Sequence, residues 1–345
     1  MAQLARRAFL PLLAFSLSTL GLSCSSDADS ADTTTPATPA PAPAEESPTT
    51  TQAPAVDLPD VVVTYSVLGA FVRHLVGDKA EVTVLIPDGQ DPHDFEPSAR
   101  DIERINDADF VVANGLDLEE GLDDTLQTAK TAGVDVFFVT DHVTVLDVVD
   151  VNDHSAHGHA HPGAQNGHSH GDDNHDHEHT EDPHVWLSPA TMLEALPALV
   201  DAAETALSVD LGTESQAFAA ELAAVDAELQ DLFSSLADCQ LVTGHNELGY
   251  FAKRYGCTVI AAILSSPSTT AEESAGNVEF VIDVIKTHGA GAVFTSLGIN
   301  PAVARQIADA AGVKLVEIST HYMGDETSYV EFVRTLGDTI ATSLR

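Results

Sequence analysis

Four well-separated histidines are the side chains of this chain best suited to metal chemistry. Neutral imidazole is the commonest side-chain ligand for a borderline metal such as zinc. Ligands this far apart in sequence can meet only where a fold brings them together, so they predict a structured metal site. The four stand in short motifs, Asp91-Pro92-His93, Asp182-Pro183-His184-Val185-Trp186, Thr243-Gly244-His245-Asn246 and Thr320-His321-Tyr322-Met323-Gly324.

Nine more histidines are crowded into one tract between His93 and His184. Gly, Asp, Asn and His dominate residues 150–181, so we expect a mobile surface loop there rather than part of a core. The loop could capture zinc weakly and pass it to the structured site, or it could be a solvated segment with no role in binding. Its histidines are His154, His157, His159, His161, His168, His170, His175, His177 and His179.

Short β-branched runs alternate with helical stretches from Val61 onward, which is typical of parallel sheets flanked by helices. Residues 60–212 predict an N-terminal α/β lobe, and residues 237–345 predict a C-terminal one. Between them, residues 213–236 carry one apolar stripe at steps of three and four, which predicts a single long helix. We therefore expect an α/β protein whose two lobes are joined by one rigid helix.

The predicted lobes also suggest where the four histidines meet. Each histidine follows a predicted strand or lies in a loop next to one, two in each half of the chain. Ligands of parallel α/β sheets bind beyond the carboxyl ends of the strands, so a cleft between the lobes could collect all four. Four imidazole nitrogens at about 2.0–2.1 Å would complete a tetrahedral zinc site. Protonation of free histidine predicts weaker binding below about pH 6.5.

The N-terminal residues 1–23 have the features of an export signal. Arg6 and Arg7 precede an apolar stretch, and small residues precede Cys24. This end resembles a bacterial lipoprotein cleavage site, at which Cys24 would be lipidated; an ordinary secretory signal followed by an incidental cysteine is the alternative. Residues 24–59 are rich in Pro, Thr and Ala and predict a flexible tether.

The two remaining cysteines, Cys239 and Cys257, each stand at the start of a predicted strand. Neighbouring parallel strands could bring them close enough to pair, and an exported protein allows a disulfide. Two buried free thiols are the alternative. The chain has 54 acidic and 14 basic residues and a formal net charge of −40, which argues against nucleic acid as a partner.

Several motifs taken together resemble the metal-binding solute-binding proteins of ABC importers, the ZnuA/TroA-like family. The resemblance covers nearly all of residues 60–345 and includes an acidic, His-rich insertion at the same place. The motifs that carry it are Gly89-Gln90-Asp91-Pro92-His93-Asp94-Phe95-Glu96-Pro97-Ser98, Asn114-Gly115-Leu116, Asp182-Pro183-His184-Val185-Trp186-Leu187-Ser188-Pro189 and His245-Asn246-Glu247-Leu248-Gly249-Tyr250-Phe251-Ala252.

This resemblance implies a receptor without catalytic turnover, either periplasmic or lipid-anchored to the outer face of the bacterial cell membrane. It would capture zinc or manganese between its lobes, act as a monomer, and hand the ion to a membrane permease driven by an ATPase. The family's ligands fall on His93, His184 and His245. Its fourth ligand is usually a carboxylate, and the matching position here is His321. Manganese favours oxygen donors, so this departure favours zinc.

Three other functions remain open at this level: a manganese receptor, a surface protein that sequesters metal or adheres, and a zinc metallohydrolase. A hydrolase would need an open coordination position for water, which a fourth protein ligand would close. Four neutral ligands would leave the charge of the ion uncompensated, so nearby carboxylates are expected to face the ligand rings. The candidates are Asp91, Glu96, Asp182 and Glu247.

Overall fold

The computed structural model describes residues 58–149, 151–152, 181–271 and 274–345. Within these ranges the chain is an α/β protein of parallel strands flanked by helices, in two lobes. The predicted export signal, most of the tether with Cys24, and the nine histidines of residues 154–179 lie outside the described residues. Among the residues described, no helix is both long enough and apolar enough to cross a bilayer.

The N-terminal lobe is built on one four-stranded parallel sheet in the order β2-β1-β3-β4. Valines 61 to 63 of its central strand are fully buried, as expected for a sheet covered by helices on both faces. The strands are β1 (Asp60–Tyr65), β2 (Glu81–Ile86), β3 (Phe110–Ala113) and β4 (Val136–Phe138); the helices are α1 (Ser66–Val76), α2 (Ala99–Asp107), α3 (Asp123–Ala132) and α4 (Pro189–Leu207).

The C-terminal lobe contains two parallel pairs, β5 with β6 and β7 with β8. β5 and β7 are in contact, so the four strands follow the order β6-β5-β7-β8, the same order of succession as in the first lobe. The strands are β5 (Gln240–Thr243), β6 (Thr258–Ala262), β7 (Ala292–Thr295) and β8 (Lys314–Glu317); after α5, described below, the helices are α6 (Gly249–Tyr255), α7 (Ala275–His288), α8 (Pro301–Ala311) and α9 (Tyr329–Ser343).

A single long helix, α5 (Gly212–Ser234), lies between the lobes in sequence. Sequence periodicity predicted it over residues 213–236, so its bounds differ by one and two residues. Its buried stripe packs against α4, α9, α1 and α6. Beyond Leu229, the pattern predicts that the stripe continues to Leu232 and Leu236, but both are only partly buried and Phe233 is buried instead. The buried apolar residues of the helix are Phe218, Leu222, Val225, Leu229 and Phe233.

The apolar core is shared between the two halves of the chain. One continuous cluster runs from Val62 in β1 through Phe218 in α5 to Leu241 in β5 and Tyr329 in α9. A second, smaller cluster fills the C-terminal lobe between its strands and α7 and α8. The disulfide Cys239–Cys257 ties the starts of β5 and β6 together.

Candidate metal centre

The fold brings the four singly placed histidines into one cluster. Each offers a ring nitrogen, and these four nitrogens all lie within 4.8 Å of one another. The side chains are buried, with His93 the most exposed of them at 3%. Nε2 of His184 lies 3.2 Å from Nε2 of His245. A tetrahedral zinc ion would hold two such nitrogens about 3.4 Å apart, so this spacing fits the ion.

The two Asp-Pro-His motifs use the same backbone device to present their histidines. Oδ1 of Asp91 accepts a 3.1 Å hydrogen bond from the backbone N–H of His93, and Oδ1 of Asp182 accepts one of 3.0 Å from that of His184. Asp side chains favour such turns, and the intervening proline fixes its own φ. The hydrogen bond from each histidine N–H back to the aspartate explains why an aspartate stands two positions before each histidine.

His245 lies two residues after the end of β5, in a segment that stays irregular as far as Leu248. The sequence pattern predicts a helix over residues 246–255, but α6 begins at Gly249. The intervening polar groups have other partners: the N–H of Asn246 donates to the carbonyl oxygen of Ser266 (3.2 Å), and its side chain donates to that of Val149 (2.7 Å). These bonds hold the segment out of the helix.

His321 lies in the loop that follows β8, and a side chain of the N-terminal lobe holds this loop in place. The indole N–H of Trp186 donates to the carbonyl oxygen of Thr320 at 2.6 Å. The hydroxyl of Thr320 lies 3.0 Å from Nδ1 of His321. Nδ1 is therefore occupied within the protein, and Nε2 is the atom that faces the cluster with no hydrogen-bond partner among the described residues.

Asp182 also fixes the ring of His184. Its Oδ1 lies 2.8 Å from Nδ1 of that ring. A carboxylate accepts, so Nδ1 carries the proton and Nε2 keeps its lone pair for a ligand. Gly249 packs against this carboxylate so closely that a Cβ there would collide with Oδ2.

Glu247 is the second carboxylate that faces ligand rings. It is fully buried, and its oxygens lie 3.6 Å from Nδ1 of His245 and 3.7 Å from Nδ1 of His321. The hydroxyl of Ser296 donates to it at 2.9 Å. Of the four candidate carboxylates, Asp182 and Glu247 approach the rings, Asp91 bonds a ligand's backbone, and Glu96 is exposed.

Burial sets the protonation of this cluster. It lowers the pKa of His93 to about 3 and the pKa values of His245 and His321 well below 6.5, with smaller contributions from neighbouring histidines. Burial raises the pKa of Glu247 to about 7, against an opposing effect of His184. The imidazoles of His93, His245 and His321 are therefore neutral at neutral pH, which is the form that binds metal.

Several buried polar atoms of the cluster have no hydrogen-bond partner among the described residues. They are Nδ1 and Nε2 of His93, Nε2 of His321, Nδ1 of His245 and Oε2 of Glu247. An unpartnered buried polar group is costly and calls for an explanation. A cation among the four rings would engage Nε2 of His321 and one ring nitrogen of His93. Nδ1 of His245 instead points towards Glu247, 3.6 Å away.

The other histidines of the described residues lie elsewhere. The ring of His74 stacks on Phe218, and the exposed His142 stacks on Phe137. His288 lies exposed in the last turn of α7. Over the described ranges, no other group of three or more His, Cys, Asp or Glu side chains could hold a metal.

Sequence reasoning missed the groups that hold the ligands in place across the cleft. Trp186 was noted only as a neighbour of His184, although its indole bonds the residue before His321. Asp88, whose carboxylate accepts from the backbone of residues 323 and 324, was not singled out. The partners are more than 130 positions apart, and no local spacing signals such pairs.

Comparison with known proteins places this geometry in a family. A family model described as "Zinc-uptake complex component A periplasmic" (ZnuA) matches residues 61–343. The zinc-binding lipoprotein AdcA of Streptococcus pneumoniae is 29% identical over 266 residues, which are 74% of this chain and 48% of AdcA. The chain thus matches about half the length of that relative.

Two further proteins match over most of their own length. The manganese-binding lipoprotein MntA of Halalkalibacterium halodurans is 23% identical over 299 residues, 82% of this chain and 88% of MntA. The solved structure of the periplasmic zinc-binding protein TroA from Treponema pallidum superposes with a TM-score of 0.65 at 24% identity. It covers 83% of this chain and 99% of TroA, which establishes the shared fold.

Proposed function

This chain belongs to the periplasmic zinc-uptake complex component A family, and we propose that it is an extracytoplasmic receptor that binds Zn²⁺ for an ABC importer. The observation that carries the proposal is the buried group of four ring nitrogens within 4.8 Å, from His93, His184, His245 and His321. Two ligands come from each half of the chain. The bound ion would therefore join the two lobes.

The donor set supports zinc over manganese. All four candidate ligand atoms are imidazole nitrogens, whereas manganese favours carboxylate, carbonyl and water oxygens. Glu247 and Asp182 contribute charge from behind the rings rather than ligand atoms. Two buried carboxylates behind four neutral ligands would offset the +2 charge of the ion.

The same site supports a binding protein rather than a metallohydrolase. Catalytic zinc needs an open coordination position for water or substrate, and four protein ligands fill a tetrahedron. The four rings are also almost inaccessible, so a substrate could not reach the centre in this conformation. We therefore infer that the chain has no catalytic turnover.

The sequence supports a location outside the cytoplasm. We infer that residues 1–23 are removed on export, that Cys24 carries the lipid, and that residues 24–59 tether the receptor to the outer face of the membrane. The partner would be the importer's permease, with the receptor acting as a monomer. The two lobes on either side of α5 would present the ion to that permease.

Calorimetric titration of the metal-free protein with zinc tests the proposal. The histidine tract could bind zinc by itself, so the titration uses a variant in which residues 153–180 are replaced by a short Gly/Ser linker. We expect one tightly bound zinc ion per molecule in this variant. In the same background, His245→Ala should lose tight binding, whereas His142→Ala, on the surface, should keep it.

Unchanged tight binding in His245→Ala would contradict the proposed site. Manganese bound more tightly than zinc would support the family's other cargo instead. Growth of a deletion strain under zinc limitation then separates transport from sequestration: failure that is rescued by the intact chain and not by His245→Ala supports transport.

A further inference from the structure

The segment that carries His93 is attached to the C-terminal lobe at two aspartates. This segment, residues 87–98, joins β2 to α2. Near its start, the carboxylate of Asp88 accepts hydrogen bonds from the backbone N–H groups of Met323 (2.6 Å) and Gly324 (3.1 Å), just beyond His321. The segment thus contacts the loop that holds another predicted ligand.

Asp91 makes the second attachment. Its Oδ2 accepts a 2.7 Å hydrogen bond from the hydroxyl of Thr269, in the loop that follows β6. Its Oδ1 accepts from the backbone N–H of His93. One carboxylate therefore links the backbone of a ligand to the opposite lobe. Next to it, the hydroxyl of Ser268 donates to Glu120 of the N-terminal lobe at 2.7 Å.

Gly298 allows the chain to pack tightly against this attachment. Its φ of +82° lies in the left-handed region. A Cβ at this position would lie 2.5 Å from Oδ2 of Asp91 and 2.7 Å from Cβ of Thr269. A side chain larger than hydrogen would push the two bonded groups apart.

The burial of the site gives these attachments a consequence. The four histidines are at most 3% exposed, so an ion cannot enter or leave while the surrounding loops keep these positions. Some loop must move, and His93 is the most exposed ligand of the four. Moving its segment away from the C-terminal lobe requires the bonds of Asp88 and Asp91 to break.

We propose that Asp88 and Asp91, with Thr269, form a latch that sets how fast zinc enters and leaves the centre. The latch deepens the proposed zinc-receptor function and rests on it. Its residues are positioning residues: they touch no ion and act through the segment of His93. On this proposal the latch joins the lobes in both the ion-free and the ion-bound states. Weakening it should therefore speed both association and dissociation and change the equilibrium affinity little.

Stopped-flow kinetics test the latch, on the variant in which the Gly/Ser linker replaces residues 153–180 and the rest of the chain is kept. The fluorescence of Trp186 is the signal, because it is the only tryptophan and its ring centroid lies 5.3 Å from that of His184. Association is followed on mixing with zinc, and dissociation on mixing the zinc complex with excess chelator. Thr269→Val removes one latch bond, and Asp88→Asn weakens two. Neither substitution changes a predicted ligand.

A single net hydrogen bond corresponds to about 2- to 12-fold in an equilibrium constant, so each variant should raise both rate constants by about 5-fold. The dissociation constant should change by less than about 2-fold. Gly298→Ala should act in the same direction. The matched control is Asp94→Asn, an exposed carboxylate of the same segment. It should keep wild-type rates.

Wild-type rates in Thr269→Val and Asp88→Asn would overturn the latch. So would faster dissociation with unchanged association, because that pattern means that the aspartates only stabilise the bound geometry. Failure of the latch is distinct from failure of the zinc-receptor function. In the first case the unmutated chain still binds zinc tightly; in the second it does not bind zinc at all.

Discussion

The indole N–H of Trp186 donates a 2.6 Å hydrogen bond to the carbonyl oxygen of Thr320. Trp186 stands two positions after His184, and Thr320 immediately precedes His321. The indole ring is also close to both imidazoles, with centroid distances of 5.3 Å and 5.4 Å. One side chain therefore fixes the relative position of two predicted ligands that come from different lobes.

Trp186→Phe should weaken zinc binding although every predicted ligand remains. The substitution removes the bond to Thr320, and a net hydrogen bond of about 0.5–1.5 kcal/mol corresponds to a loss of about 2- to 12-fold in affinity. Competition with a chromophoric chelator measures the loss. Phe218→Leu trims a buried aromatic ring of α5 and should lower stability while leaving affinity unchanged. Equal affinities in both variants would contradict the role of the indole.

Glu247→Gln should lower zinc affinity by about 10- to 100-fold, the usual effect of removing a group that orients ligand rings. The amide keeps the shape of the side chain and removes the charge that faces His245 and His321. Glu96→Gln is the matched control because Glu96 is exposed. The same chelator competition applies, and a loss of equal size in both variants would refute a specific effect.

His321→Asp should shift metal preference towards manganese, because it replaces an imidazole by the oxygen donor that manganese favours. We expect the ratio of manganese to zinc affinity to rise by about 10-fold or more. His321→Gln is the control: it removes the imidazole without supplying a carboxylate and should weaken both ions. Titrations with each metal give the ratio, and an unchanged ratio in His321→Asp would argue against His321 as a ligand.

Acidification should destabilise the metal-free protein. Burial lowers the pKa values of His93, His245 and His321, so below pH 6.5 the unfolded chain binds protons that the folded chain does not. Stability is therefore highest above pH 6.5 and falls by up to about 1.4 kcal/mol per pH unit for each histidine. Glu247, with its pKa raised to about 7, acts in the opposite direction down to its ordinary pKa of 4.5.

Three histidines outweigh one glutamate, so the net effect is a loss of stability on going from pH 7.5 to pH 5.5. Urea unfolding in the presence of chelator, with the histidine tract deleted, measures it at both values. His245→Gln should show a shallower dependence on pH because one buried imidazole is gone. Identical dependence in the two proteins would mean that His245 titrates normally in the folded state.

Loss of the disulfide should weaken the fold and spare the metal centre. Cys239 and Cys257 are 18 positions apart, and a closed loop of that size contributes about 3 kcal/mol in the chain-entropy model. The double substitution Cys239→Ser and Cys257→Ser should lower the unfolding free energy by about that amount in urea titrations. Zinc affinity should stay within about 2-fold of wild type, and a larger drop would link the disulfide to the site.

The sequence predicted the elements well because apolar periodicity controls them. The helix predicted over residues 213–236 differs from α5 by two residues at most. Buried β-branched runs also predict strands over residues 292–295, which matches β7, and over residues 258–264, whereas β6 ends at Ala262. The helix predicted from Asn246 begins three residues later, at Gly249. Both errors fall beside the metal centre, where hydrogen bonds between residues far apart in the sequence replace regular structure.

The candidate ligands could be found because each histidine stands in a recognisable motif. The groups that surround these ligands could not be identified from the sequence. The choice of Asp182 and Glu247 over Glu96 depends on which way the side chains point. The free-histidine pKa placed the loss of binding below about pH 6.5, but burial of His93 moves protonation lower. Burial follows from the tertiary fold and not from local sequence.

The apolar cluster shared by β1, α5, β5 and α9 limits how the empty and loaded receptors can differ. Rotating one half against the other would expose part of that cluster to water, at a cost that grows with the apolar area exposed. Displacing the polar loops around the ion exposes little of it. A permease that distinguishes the ion-bound from the ion-free receptor would therefore recognise the local shape of the loops at the rim of the cleft. It would not rely on a change in the angle between the two lobes.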